Sequence, residues 1–136
     1  MNEDPAIILV VEDEPQYRFL IQLNLEASGY VVVLADDART GLARVVDAAP
    51  DLVLLDLGLP DMDGIETTRR LRAYPHMKSV VIIALTALAM RGDRERCLAA
   101  GMDDYIAKPV EFRQLAQLIE QRLSASRTTE KSTDEG

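Results

Sequence analysis

The sequence predicts an α/β fold, a doubly wound parallel sheet of five strands with five helices, and three observations carry that expectation. Five short runs are apolar throughout, the segments that follow them place apolar residues at helical spacing, and prolines and glycines mark the junctions. Runs that are apolar without polar alternation suit strands covered on both faces, as in a parallel sheet flanked by helices.

The first strand is expected over Ile7 to Val11. The helix after it opens at Pro15, repeats Tyr17, Leu20, Ile21 and Leu25, and closes at Ser28-Gly29, since proline is tolerated in a first helical turn and glycine ends helices. Tyr30 to Leu34 forms the second strand, Leu42, Val45 and Val46 mark the second helix, and Pro50 stops it. Leu52 to Leu55 is the third strand, and Gly64 opens a helix carrying Ile65 and Leu71. Val80 to Leu85 is the fourth, followed by a helix from about Arg91 to Ala100 that Gly101 ends. The brief run Tyr105 to Ala107 and a helix with Phe112, Leu115, Leu118, Ile119 and Leu123 complete the alternation. Residues 1–124 thus form one domain; from 125 to 136 no large apolar residue occurs, and a disordered polar tail is expected.

With 136 residues, 48% of them hydrophobic, the chain can build one core but not two. Its 15 Lys and Arg against 23 Asp and Glu give a net charge of −8, with no basic run longer than Arg69-Arg70, which argues against binding nucleic acid or acidic membranes. The single cysteine, Cys97, and a start without a basic, apolar leader lead to an expectation of a cytoplasmic protein.

In an open doubly wound sheet, chemistry sits outside the carboxyl ends of the strands. Those ends are Glu12-Asp13, Asp56, Thr86 and Lys108-Pro109. Any one of them alone reads as a solvated turn or a helix cap. Together they bring three carboxylates to one rim, where mutual repulsion calls for a cation, and oxygen ligands without Cys or His point to Mg²⁺.

The segments Val10 to Pro15, Leu55 to Gly64, Leu85-Thr86-Ala87 and Lys108-Pro109, in that order and with helix-sized gaps, resemble the receiver domain of bacterial two-component response regulators over Ala6 to Leu123. The resemblance implies a flavodoxin-like strand order 2-1-3-4-5. It implies that Asp56 is the nucleophile that takes a phosphoryl group from a phosphohistidine, with Asp13, Asp56 and the backbone carbonyl of Gly58 on Mg²⁺ and Glu12 acting through a metal-bound water. Lys108 and Thr86 would each meet a phosphoryl oxygen, and Thr86 with Tyr105 would form the switch. The Lys108-Pro109 bond is expected to be cis, and Gly58 and Leu88 to leave self-dephosphorylation slow. The implied partners are a histidine kinase or histidine phosphotransfer protein, and an effector at the fourth helix, fifth strand and fifth helix, where Arg91, Arg94 and Arg96 would lend charge. A monomer or weak dimer acting as a stand-alone regulator is expected; the alternative is an excised receiver of a hybrid histidine kinase serving as a phosphorelay intermediate.

Other readings fail on particular positions. Aligning Gly64 with the glycine of a calcium loop puts Leu59 and Arg70 where ligands belong. A haloacid-dehalogenase-type phosphatase needs a second acid two residues after its nucleophile, where this chain has Gly58. A pseudo-receiver would lack the acceptor, the acids or the lysine, and all are present. Glu12-Asp13-Glu14-Pro15 has none of the glycines a dinucleotide turn requires. His76 has no partner spaced for metal, and Cys97 is expected to pack on a helix.

Overall fold

A computed structural model describes residues 4–87 and 92–135, with side chains to residue 125. Its elements are β1 (Ile7–Val11), α1 (Pro15–Ala27), β2 (Val31–Ala35), α2 (Ala38–Ala48), β3 (Leu52–Asp56), α3 (Gly64–Ala73), a 3-10 turn at Pro75–Met77, β4 (Val81–Thr86), α4 (Asp93–Ala100), β5 (Asp104–Ala107) and α5 (Phe112–Glu135). All neighbouring strands are parallel, in the order β2-β1-β3-β4-β5. The fold is the expected α/β doubly wound sheet, with five strands and five helices in the flavodoxin-like arrangement.

Period-two alternation sends neighbouring residues of each strand to opposite layers. Leu9, Val11, Val53, Leu55, Ile82 and Ala84 join Val45, Leu71 and Cys97 from α2, α3 and α4, whereas Ile8, Val10, Leu54, Ile83 and Leu85 join Ile21, Leu25, Leu115 and Ile119 from α1 and α5. The three inner strands β1, β3 and β4 have almost no exposed side chain, which is why they read as continuous apolar runs. Each fully buried Leu or Ile contributes about 2 kcal/mol relative to exposure. The outer strands β2 and β5 are only partly covered.

The helix ends follow local chemistry. Pro15 begins α1, where Glu14 accepts the Gln16 N–H. The carboxylates of Asp37 and Asp63 accept from Thr40 and Ile65 at the starts of α2 and α3. Gly101, at φ 112°, ends α4 in the left-handed region that glycine adopts without cost. The aspartates of Asp61-Met62-Asp63-Gly64 are therefore caps: Asp61 reaches across to the N–H groups of Ala38 and Arg39, and Asp63 serves its own helix.

α5 continues past residue 124, where the sequence leads one to expect a disordered tail. Its apolar contacts with the sheet include Leu115, Ile119 and Leu123, and no large apolar residue follows Leu123 in the sequence. Among the described residues no helix is long and apolar enough to cross a membrane.

Candidate functional site

Strand register assembles the site. Val11 pairs with Leu55, so Glu12 and Asp56 emerge side by side from β1 and β3. Asp56 pairs with Leu85 of β4, so Thr86 comes one step later, and Thr86 pairs with Ala107, the residue before Lys108. β1 and β3 are also where the winding of the sheet reverses, since β2 lies on one side of β1 and β3 on the other. A crevice opens at such a reversal because successive helices leave toward opposite faces. Here it is a cleft of about 440 Å³ lined by Glu12, Asp13, Glu14, Asp56, Leu57, Gly58, Thr86, Ala87 and Lys108.

Glu12 is 0% exposed and Asp56 4%, whereas Asp13 stands in solvent. The Lys108 ammonium lies 2.8 Å from Glu12 Oε1 and 3.4 Å from Asp56 Oδ2. The backbone holds the other oxygens: the Glu14 N–H donates to Glu12 Oε2 at 3.1 Å, and the Gly58 N–H to Asp56 Oδ1 at 2.9 Å. Burial raises the Glu12 carboxyl above its usual value, with the nearby Asp56 charge adding to the effect and with Lys108 and the Glu14 N–H opposing it. Burial alone would lower Lys108, yet Glu12 and Asp56 together raise it. Glu12 holds its proton more tightly mainly because it is buried, and Lys108 because two carboxylates face it, which leaves an excess of negative charge in the cleft.

That excess fits a cation. One oxygen from each of Glu12, Asp13 and Asp56 lies within 4.8 Å of the others. Three carboxylates against the one ammonium of Lys108 formally leave two negative charges, the charge of one divalent ion. Glu12 Oε1, although close to Lys108, is a buried acceptor without a well-directed hydrogen bond. Buried acceptors are rarely left so, and an all-oxygen donor set suits a hard cation.

Thr86 is buried at the end of β4. Tyr105 sits opposite Ala84 on β5, half-buried against the layer that contains Val45, Leu71 and Cys97. Alternation along β4 puts Thr86 on that same face as Ala84. The Lys108-Pro109 peptide is cis, as the resemblance implies. Arg94 and Arg96 are exposed as expected, but each pairs with an acid, Arg94 with Asp104 at 3.6 Å and Arg96 with Asp93 at 3.5 Å, so they add less charge to their face than their number suggests. Leu88 and Arg91 lie outside the described residues. Cys97 is buried in the core on α4, where burial pushes its thiol pKa up, and His76 Nε2 lies 3.3 Å from the Val45 carbonyl.

Three residues that the sequence marks only as helix content take larger parts. Tyr17 of α1 accepts the Val110 N–H at 2.5 Å, and its ring lies 4.8 Å from the Lys108 ammonium. Arg18 donates to the carbonyls of Glu12 at 2.9 Å and Asp13 at 3.4 Å, bracing the acidic loop from behind. Arg72 of α3 donates to the carbonyls of Met77, Val80 and Gly101 and to the Asp103 carboxylate, which in turn accepts the Ile82 N–H. The spacing of Tyr17 shows an inward helical face; nothing local shows that its hydroxyl meets residue 110.

Residues 8–120 match the family described as the response regulator receiver domain. An uncharacterized 14.6 kDa protein of Leptolyngbya boryana is 39% identical over 114 residues, which cover 84% of this chain and 87% of that one. The sensor protein GacS of Pseudomonas syringae pv. syringae is 40% identical over 115 residues; the match takes in 82% of this chain but only 13% of that much longer protein. Among solved structures, a CheY-like receiver domain protein from Methanospirillum hungatei JF-1 superposes with a TM-score of 0.86 at 31% identity, covering 92% of this chain and 98% of that one. The receiver domain of the sensor histidine kinase PA1611 from Pseudomonas aeruginosa PAO1, solved with a magnesium ion coordinated in its active site cleft, does so with a TM-score of 0.81 at 39% identity, covering 88% and 98%. The shared fold, the acidic cleft and the match over most of its length agree: the chain belongs to the response regulator receiver domain family of two-component signalling.

Proposed function

We propose that the chain is a phosphorylation switch in which Asp56 accepts a phosphoryl group from a histidine kinase or histidine phosphotransfer protein. The observation that carries this reading is the position of Asp56, beside two further carboxylates and 3.4 Å from the Lys108 ammonium in an open cleft. An Asp56 oxygen attacks phosphorus, the new P–O bond makes an acyl phosphate, and the P–N bond breaks with its electron pair going to the histidine nitrogen. Glu12, Asp13, Asp56 and the Gly58 carbonyl would hold Mg²⁺, which when bound neutralises charge on the transferring oxygens. Lys108 pairs with one phosphoryl oxygen and Thr86 donates its hydroxyl to another.

Thr86 and Tyr105 lie toward one face of the sheet, so a shift of Thr86 toward a phosphoryl group opens room into which Tyr105 can swing, altering the α4-β5-α5 surface that an effector reads. Gly58 offers no side chain to orient an attacking water, which favours slow self-dephosphorylation. The receiver is taken to run to residue 124, because no large apolar residue follows Leu123 in the sequence. We further infer a cytoplasmic protein, monomeric or weakly dimeric, with no nucleic-acid partner. A stand-alone regulator is supported by the relative of matching length, and a phosphorelay receiver from a hybrid kinase by the likeness to GacS.

Incubation with Mg²⁺ and acetyl phosphate should add the mass of one phosphoryl group to the intact protein, and Asp56→Asn should abolish the gain. No gain in the unaltered protein would refute the reading. To separate the two settings, the phosphorylated protein is mixed with a histidine phosphotransfer protein: rapid return of the phosphoryl group to histidine supports the relay, and its retention supports the stand-alone regulator.

A further inference from the structure

A lysine that meets a phosphoryl oxygen must hold its charge at one place, yet the lysine side chain is a flexible four-carbon stem. In this cleft Lys108 has two carboxylate partners at unequal distances, Glu12 at 2.8 Å and Asp56 at 3.4 Å. Glu12 is the closer and more buried of the two. Electrostatics alone therefore favours collapse of the ammonium onto Glu12, away from the residue on which phosphoryl transfer would occur.

Tyr17 is a third group in contact with the ammonium. Its ring lies 4.8 Å from the Lys108 ammonium, inside the roughly 6 Å over which an aromatic face attracts a cation. Its hydroxyl accepts the N–H of Val110, a buried residue two positions after Lys108. One side chain thus grips both the head of Lys108 and the backbone just beyond it. Tyr17 also stands in the first turns of α1, directly after the loop that carries Glu12, Asp13 and Glu14. The spacing between the acidic loop and the lysine is accordingly set through a tyrosine attached to both.

Resting on the reading of Asp56 as the phosphoryl acceptor, we propose that Tyr17 is a positioning residue that acts through Lys108, holding the ammonium within reach of Asp56 by its ring and fixing the Lys108–Val110 backbone by its hydroxyl. Tyr17 itself touches no reacting atom. The two halves of the role are separable: Tyr17→Phe keeps the ring and loses the acceptor, whereas Tyr17→Leu loses both.

The test measures the rate of phosphorylation by acetyl phosphate and Mg²⁺, read by intact mass, in Tyr17→Phe, Tyr17→Leu, Lys108→Met and the double variant Tyr17→Leu/Lys108→Met. Misplacement of a catalytic group by about 1 Å can cost roughly a hundredfold, and we expect Tyr17→Leu to slow the reaction about tenfold and Tyr17→Phe about threefold. In the Lys108→Met background Tyr17→Leu should change nothing further. A full additional slowing there, or an unchanged rate in Tyr17→Leu alone, would overturn the proposal, because a merely structural tyrosine acts whether or not the lysine is present.

Proton NMR gives a second readout that needs no phosphorylation. The ε-methylene protons of Lys108 should be shifted upfield by the Tyr17 ring, retain that shift in Tyr17→Phe and lose it in Tyr17→Leu, while the Val110 amide moves in both. If the unaltered protein takes no phosphoryl group, the functional reading fails, and these shifts alone decide whether Tyr17 holds the lysine; identical Lys108 resonances in all three proteins would sink the proposal.

Discussion

Lys108 Nζ lies 2.8 Å from Glu12 Oε1, and Glu12 is wholly buried. A buried acid with one charged partner depends on that partner, since removing it strands a charge away from water. Lys108→Met should destabilise the metal-free protein by about 2 kcal/mol, less than the roughly 3–5 kcal/mol of a fully buried pair because the lysine side chain keeps 15% exposure. Adding Glu12→Gln should restore most of the loss. Urea unfolding of the two single variants and the double variant checks this, and strictly additive losses would show that the two residues are not coupled.

The excess of negative charge in the cleft should make the fold sensitive to divalent cations. An ion bound only by the folded state stabilises it by about 2.7 kcal/mol when present at about 100 times its dissociation constant. Thermal unfolding in rising MgCl₂ should therefore shift upward by several degrees and return when the ion is chelated. Asp13→Asn and Asp56→Asn should flatten the response, whereas NaCl at matched ionic strength should not reproduce it. An equal rise in all three proteins would mean the cleft does not hold the ion.

Arg72 joins α3 to the segment before β4, to the end of α4 and to the start of β5. Its removal leaves three carbonyls and the Asp103 carboxylate without their donor. Arg72→Leu should cost about 3 kcal/mol, in the range of a broken hydrogen-bond network. Lysine is not a substitute, because one ammonium cannot serve acceptors that a planar five-donor group reaches in several directions. Denaturant midpoints decide it, and a fully stable Arg72→Lys would show that only the charge matters.

Asp37 provides a pH-dependent contribution through its cap on α2. The hydroxyl and then the N–H of Thr40 lower its pKa from an ordinary value of 3.8 in the folded protein. The unfolded chain takes up the proton more readily, so the contribution is complete above that ordinary value and is lost as the pH falls through it toward the folded one. Asp37→Asn, which keeps an oxygen acceptor but cannot ionise, should be less stable than the unaltered protein at pH 7, with a smaller gap at a pH below the ordinary value of 3.8. A gap of equal size at both pH values would assign the cap no charge dependence.

Much of the fold is legible in one dimension. β1, β3 and β4 are buried on both faces, so every residue before the polar Asp56 and Thr86 at the carboxyl ends of β3 and β4 is apolar, and that demand is visible without knowing any neighbour. The candidate site residues are legible for a related reason: in a doubly wound sheet a functional group belongs at the carboxyl end of a strand, and Glu12, Asp13, Asp56, Thr86 and Lys108 each stand there. The ends of β2 and β4 fall a residue later than their apolar composition suggests, because pairing with the neighbouring strand extends them to Ala35 and Thr86.

By itself the sequence determined the order of elements, the residue types at the strand ends and the negative charge of the rim, since these depend on local periodicity and composition. Only the tertiary structure decided that Lys108 leans on Glu12 more closely than on Asp56, that Tyr17 grips Lys108 and Val110, that Asp61 caps a helix begun at Ala38, and that Arg72 ties three connections together. The physical reason is the winding of the chain. Strand order and register bring residues far apart in the sequence within hydrogen-bond distance, and a contact between such residues leaves no trace in the periodicity of either.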